Sequence, residues 1–269
     1  VMADSSTHPW YPSAAYLYVL HLDGHALAWE YLRRHPDYRR DWQYRHRRRQ
    51  AAHQAAQRWG LRLLEDPALD AREAHPVWFP DHDGVQLYPD ADPLPDAELF
   101  RLWRLPGQKH LIHDGKSLVL WLRWPGGCLR LAVAPGLADG MAYVYAMRAS
   151  AAPGARAQGF MLELNRLALA NDAGSIAAVR PRPTLSALQE LHTMQALDAT
   201  LAGASLYEVA QGLFGEEVAA GDWHADGALR ARVRRLVRRG AALMRGGYRR
   251  LAQLPPLVQG RSAPDAKRP

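Results

Sequence analysis

The chain has 269 residues with a formal net charge of +7, enough for a sizeable core in one or two domains. Its single cysteine, Cys128, excludes an intramolecular disulfide, and no run approaches the roughly eighteen apolar residues of a membrane helix, so a cytoplasmic protein with no membrane partner is expected. The charge is concentrated: residues 226–269 hold eleven Arg and one Lys against two Asp, a net of +10, which leaves −3 for the remainder.

In chain order, residues 14–34 carry Tyr16, Leu17, Leu20, Leu27, Trp29, Tyr31 and Leu32 around an Asp23-Gly24 break, which reads as two short helices. His35-Pro36 stops the second, because the residue before proline is pushed out of the helical region. A third helix is predicted from Pro36 or Asp37 to Leu64, strongly basic at His46–Arg49. Trp29, Tyr31, Tyr38 and Trp42 read as core packing. The Arg33–Arg49 cluster reads as a helix surface paired with acidic residues of the 81–98 loop, or else as an auxiliary phosphate contact.

From 77 to 148 the pattern changes to short β-rich runs. Leu118–Trp124 and Leu129–Val133 flank Pro125-Gly126-Gly127, a hairpin signal. Met141–Met147, Leu99–Leu105 and Lys109–His113 supply further predicted strands of a small antiparallel sheet. The acidic stretch Asp81–Glu98 is expected to be a surface excursion. Residues 150–154 and Arg180-Pro181-Arg182-Pro183 read as linkers around a helical period over 156–171.

Beyond them Leu185, Leu188, Leu191, Met194, Leu197 and Leu201 step by three or four, a long helix that Gly203 ends. Ser205 and Glu208 have capping-box spacing for the next helix, which closes at Phe214-Gly215. A loop is expected over 215–226, with Trp223 plugged onto the core. Residues 226–250 then form a basic amphipathic helix. At 100° per residue Leu229, Val233, Leu236, Val237, Gly240, Leu243 and Met244 fall in a stripe of about 120° and arginines take the rest of the circumference. Like charges at helical spacing repel by a few tenths of a kcal/mol per pair, so this face is expected to meet a polyanion. The predicted DNA contacts are Arg230, Arg232, Arg234, Arg235, Arg238, Arg239, Arg245, Arg249 and Arg250, with Arg230, Arg234 and Arg238 reading bases from one flank of the helix. Residues 253–269 are expected to be disordered.

Other constellations are weaker. His110 and His113 would point to opposite faces of a strand, so no metal site is expected there. Asp81-His82-Asp83-Gly84 lacks the closing glutamate of a calcium loop. No Gly-rich phosphate loop and no nucleophile elbow occurs. Neither an enzyme nor a cofactor is expected.

WEYLRRHPDYRRDW (Trp29–Trp42), LDATLAGASLYEVAQGLFG and RVRRLVRRGAALMRGGYRRL resemble the RovC-like regulators of type VI secretion and related proteobacterial proteins of integrative elements. The resemblance covers about residues 10–66 and 184–252. It implies an N-terminal regulator-like domain, a C-terminal DNA-binding domain and a transcription activator that acts as an oligomer.

The expected architecture is therefore α+β. Residues 1–154 form an N-terminal regulator-like domain with helices over 14–66 and a sheet over 77–148. A connecting helix and linker take 155–183, an all-helical, helix-turn-helix-like DNA-binding domain takes 184–252, and the tail 253–269 follows. The expected partners are duplex DNA and further copies of the chain in a homo-oligomer, with RNA polymerase a candidate. The rival reading is a protein-interaction adaptor that sets the arginine helix against an acidic partner.

Overall fold

The computed structural model describes residues 10–46, 49–79, 85–113, 118–124, 127–147, eight positions between 157 and 168, 183–224 and 227–254. The chain is α+β. It divides into two compact units that do not follow chain order: one joins 1–48, 65–74 and 183–269, and the other joins 49–64 and 75–182.

The first unit is helical. A 3-10 helix over Ser13–His21 precedes α1 (Gly24–Leu32), whose N-cap Asp23 accepts from the Ala26 amide and so satisfies one orphan donor of the first turn. Pro36 opens α2 (Pro36–Tyr44) behind the His35 N-cap. The predicted single helix to Leu64 is instead two, since α3 (Arg49–Trp59) is separate and belongs to the second unit. The break falls in the basic run, where like charges recur with no acid at helical spacing.

Then come α4 (Leu185–Leu201), α5 (Leu206–Phe214), α6 (Glu216–Asp222) and α7 (Ala228–Ala242). Ser205 and Glu208 close the expected capping box on α5. Residues 216–222 are helix α6 where a loop was expected, so the tight helix-to-helix turn of a simple helix-turn-helix is not present between α5 and α7. Trp223 does pack back, edge-on to Tyr207 with ring centroids 5.5 Å apart. The predicted basic helix also ends early: a π-helical turn spans Leu243–Gly247 and is followed by α8 (Tyr248–Leu251). Gly246 adopts φ 145°, where a side chain is strained, which is why the helix can turn there.

Helix α4 is the axis of this unit, packing on the 3-10 helix, α5 and α7. Its leucine stripe is only half right. Leu191, Met194 and Leu197 are buried, whereas Leu185 is 86% exposed and Leu188 and Leu201 also face solvent. The polar residues Glu190, Thr193 and Gln195 are buried in their place. Groups from the N-terminal segment satisfy two of them, and Thr193 bonds back to the Gln189 carbonyl.

The second unit is built on a five-stranded sheet of β1 (Val85–Pro89), β2 (Gln108–His113), β3 (Leu118–Trp124), β4 (Gly127–Val133) and β5 (Tyr143–Ala146), in the order β2-β3-β4-β1-β5. Three pairings are antiparallel, as expected, but β1 runs parallel to β4, with Leu87 opposite Val133. The acidic stretch read as a surface excursion thus contains an interior strand, with Val85 and Leu87 fully buried. Leu99–Leu105 is not a strand; it gives one bridge, Leu99 to Ala142, and a 3-10 turn over Leu102–Arg104. One face carries the core of Leu120, Leu122, Leu129 and Leu131, closed by Phe100 and by Leu167 from helical residues within 157–168. The Cys128 side chain, residues 150–154, residues 180–182 and the tail beyond Leu254 lie outside the described residues.

Candidate nucleic-acid interface

Helix α7 places its apolar stripe as predicted: Val233, Leu236 and Gly240 are buried, as are Leu243 and Met244 in the following turn. Gly240 is the point of closest approach to α4. A Cβ there would lie 3.0 Å from the Leu197 Cβ and 3.1 Å from the Thr193 carbonyl oxygen, so the absence of a side chain sets the spacing of the two helices.

The opposite face carries the arginines, and their surroundings differ. Arg232, Arg234, Arg235 and Arg238 are exposed, and among the described residues no carboxylate pairs with them. Arg234, Arg235 and Arg238 stand at the centre of the outward arc, and Arg238 donates from Nε to the Arg234 carbonyl at 3.4 Å. At one edge, the Arg232 guanidinium lies 4.7 Å from the centre of the Phe214 ring. Arg239 donates to the Glu190 carboxylate of α4. Glu190 also accepts from the Tyr31 hydroxyl at 2.7 Å, so α1, α4 and α7 meet at one buried acid.

Four predicted contacts stand differently. Arg230 is half-buried, with its Nε shielded from solvent. Arg245 and Arg250 are exposed but lie in the π turn and α8, off the α7 face. Arg249 is the least accessible of the set, because only 7% of the residue is exposed.

The residues that hold this face in place were not nominated from the sequence. Arg34 is 93% buried by residue surface and forks across Asp198 of α4, with Nε 2.5 Å from Oδ1 and Nη2 2.8 Å from Oδ2. Its Nη1 reaches the Glu30 carboxylate at 2.5 Å and the Glu30 carbonyl at 2.6 Å. Tyr16 donates to Asp198 at 2.8 Å, and Arg33 and the Ala71 amide complete Glu30. Burial alone would raise the Asp198 and Glu30 pKa values, but the adjacent guanidinium groups and hydrogen bonds outweigh it and hold both below the ordinary carboxylate range. Gln195 ties α4 to the Trp10 and Tyr11 carbonyls at 3.1 Å each.

The aromatic residues of the Trp29–Trp42 segment belong to the same frame. Trp29 donates to the Leu69 carbonyl and packs edge-on to Tyr38, whose hydroxyl donates to the Glu65 carbonyl at 2.6 Å. Among the described residues of the arginine cluster, Arg33 pairs with Glu30, Arg40 with Asp37, and Arg45 lies 3.4 Å over the Trp42 ring. The available signal was Glu30 and Arg34, four residues apart inside an otherwise buried helix end.

No helix among the described residues is long and apolar enough to cross a membrane, and no group of three or more His, Cys, Asp or Glu is placed to hold a metal ion.

Three family models match. Residues 144–253 match the DNA-binding domain of T6SS transcription factors of the RovC type, and residues 9–63 match a proteobacterial transcriptional regulator-like domain. Residues 82–129 match a domain of unknown function. No curated protein sequence matches the chain.

Proposed function

We propose that the chain acts as a RovC-like, non-enzymatic, DNA-binding transcription regulator, a reading that the two family matches support, and that α7 is the element that grips duplex DNA. The observation that carries this reading is the group of exposed arginines Arg232, Arg234, Arg235 and Arg238, which no carboxylate of the described residues neutralises. Arg234 and Arg238 lie one helical turn apart on the outward arc. They are the best placed for guanine edges, which arginine meets with two parallel hydrogen bonds. Arg235, Arg232, Arg245 and Arg250 supply phosphate contacts. Arg230 flanks the base-reading pair and contributes through its outer nitrogens.

A single helix reads few base pairs, so the protein acts as a homo-oligomer on repeated half-sites. It works in the cytoplasm as an activator, with type VI secretion genes as the class of target and RNA polymerase as the further partner. The domain organisation that suits this role keeps 184–252 as the DNA-binding element, with residues 10–44 as its brace.

The test is charge reversal. Arg234→Glu with Arg238→Glu abolishes binding to random duplex DNA at low salt while leaving the helical circular dichroism unchanged. DNA affinity preserved in that variant, together with loss of an acidic protein partner, would establish the adaptor reading in its place.

A further inference from the structure

The sheet unit contains a cavity of about 230 Å³ that the DNA-binding role does not use. Its floor is apolar, formed by the buried Phe100 and Leu167 and the half-buried Leu105. Its wall is a pair of tyrosines two residues apart on β5 and therefore on one face of the strand. Tyr143 and Tyr145 share a hydroxyl hydrogen bond of 3.1 Å, and Tyr143 stands edge-on to Phe100. One hydroxyl proton serves that bond, which leaves the other free to be donated to a guest. Burial, the Tyr145 hydroxyl and the Glu98 carboxylate all push the Tyr143 pKa up, so its hydroxyl remains a donor at neutral pH.

The rim is cationic. Arg101 and Arg104 line the cavity from either end of the 3-10 turn, and no carboxylate of the described residues forms an ion pair with them. Glu98 is the one acid in the lining. The turn is anchored by the Leu102 amide on Asp139 at 2.8 Å, and Phe100 exchanges two backbone hydrogen bonds of 2.7 Å with residues 140 and 141. The site is thus formed before a guest arrives, which removes ordering costs from binding.

We infer that this cavity binds a small organic monocarboxylate with a flat apolar body. The body fills the Phe100–Leu105–Leu167 floor, and the carboxylate lies between the two guanidinium groups and the free tyrosine proton. Two arginines against one glutamate leave a single positive charge to neutralise, which suits a monoanion. The sheet unit thereby receives a chemical signal, a role apart from the assembly and DNA contacts assigned above.

The probe is benzoate, with neutral benzamide as its isostere, titrated calorimetrically into the full-length protein. The expected result is saturable one-site benzoate binding, with benzamide at least about tenfold weaker, since charge-assisted bonds to arginine carry the difference. Arg101→Gln with Arg104→Gln weakens benzoate by at least about tenfold and leaves benzamide unchanged. Tyr143→Phe, which keeps the ring and the packing, weakens benzoate by several-fold and serves as the check should the arginine variant misfold. Absence of saturable benzoate binding, equal affinity for benzoate and benzamide, or benzoate affinity unchanged in the folded variants would each overturn the inference.

Discussion

Replacing Arg34 by glutamine tests how the N-terminal motif supports the DNA-binding helices. Arg34 makes a two-pronged contact with Asp198 and a third with the Glu30 carboxylate, at 2.5, 2.8 and 2.5 Å. Its side chain is 6% exposed, against 0% for Glu30 and 23% for Asp198. The substitution deprives two carboxylates of the guanidinium that does most to offset their desolvation, and breaking a buried ion pair from one side costs about 3–5 kcal/mol. Lysine keeps the charge but not the fork, so Arg34→Lys should recover only part of the loss. Tyr16→Phe removes one neutral donor from Asp198 and should cost about 1 kcal/mol.

Urea unfolding followed by tryptophan fluorescence reads these differences, because Trp29 is fully buried beside the network. The pH dependence supplies a second check. Glu30 and Asp198 have depressed pKa values in the folded state, so the stability they contribute is complete above their ordinary values of 4.5 and 3.8 and is lost as pH falls through the folded ones. The gap between wild type and Arg34→Gln should therefore be full at pH 7 and narrow below about pH 4. A loss under about 1 kcal/mol at pH 7, or a gap that stays constant into acid, would refute the reasoning.

At the α4–α7 crossing, Gly240→Ala should be close to neutral, since the gain in helix propensity of about 1 kcal/mol offsets the crowding against Leu197 and Thr193. Gly240→Val adds carbons with nowhere to go and should destabilise by about 1–3 kcal/mol or more in the same unfolding assay. In the sheet unit, His75 stacks on His110 with ring centroids 4.0 Å apart, and burial, His110 and Arg123 push its pKa down to about 4. A neutral His75 in the fold against an ordinary 6.5 unfolded means stability is complete above pH 6.5 and falls progressively toward pH 4. His75→Leu should flatten that part of the profile, measured by urea midpoints between pH 7.5 and 4.5. Glu190→Gln releases Arg239 from its ion pair and should steepen the salt dependence of DNA binding by up to one phosphate contact, a slope change of about 0.9.

Local signals in the sequence proved sound where local physics decides. The Ser205 capping box, the hairpin of β3 and β4, the extent of α4 and the apolar stripe of α7 all follow from spacing. What escaped is tertiary. The stripe on α4 suggested a leucine-faced helix, yet Glu190 and Gln195 are buried because Tyr31, Arg239 and the Trp10 and Tyr11 carbonyls reach them from distant parts of the chain. Such partners leave no mark at helical spacing. Val85 and Leu87 occupy an interior strand, but the flanking acids and prolines made the whole stretch read as loop. Arg249 looks like its neighbours in the sequence and is separated from them only by the turn at Gly246, which sends it inward.

The frame also changes which experiment is informative. Residues 1–48 and 183–269 belong to one compact unit, so a truncation at 183 removes the partner of the N-terminal helices and confounds loss of DNA contacts with loss of fold. Point variants on the exposed arc avoid this. The most direct measurement is fluorescence anisotropy of the full chain on duplex DNA across a salt series, for the wild type and for Arg234→Gln, Arg235→Gln and Arg238→Gln combined. Binding through α7 predicts that log K falls steeply with log salt and that the triple variant loses about 0.9 of slope for each phosphate contact removed, with its folding intact. An unchanged slope and affinity in the folded triple variant would contradict the assignment of α7 as the DNA-gripping helix.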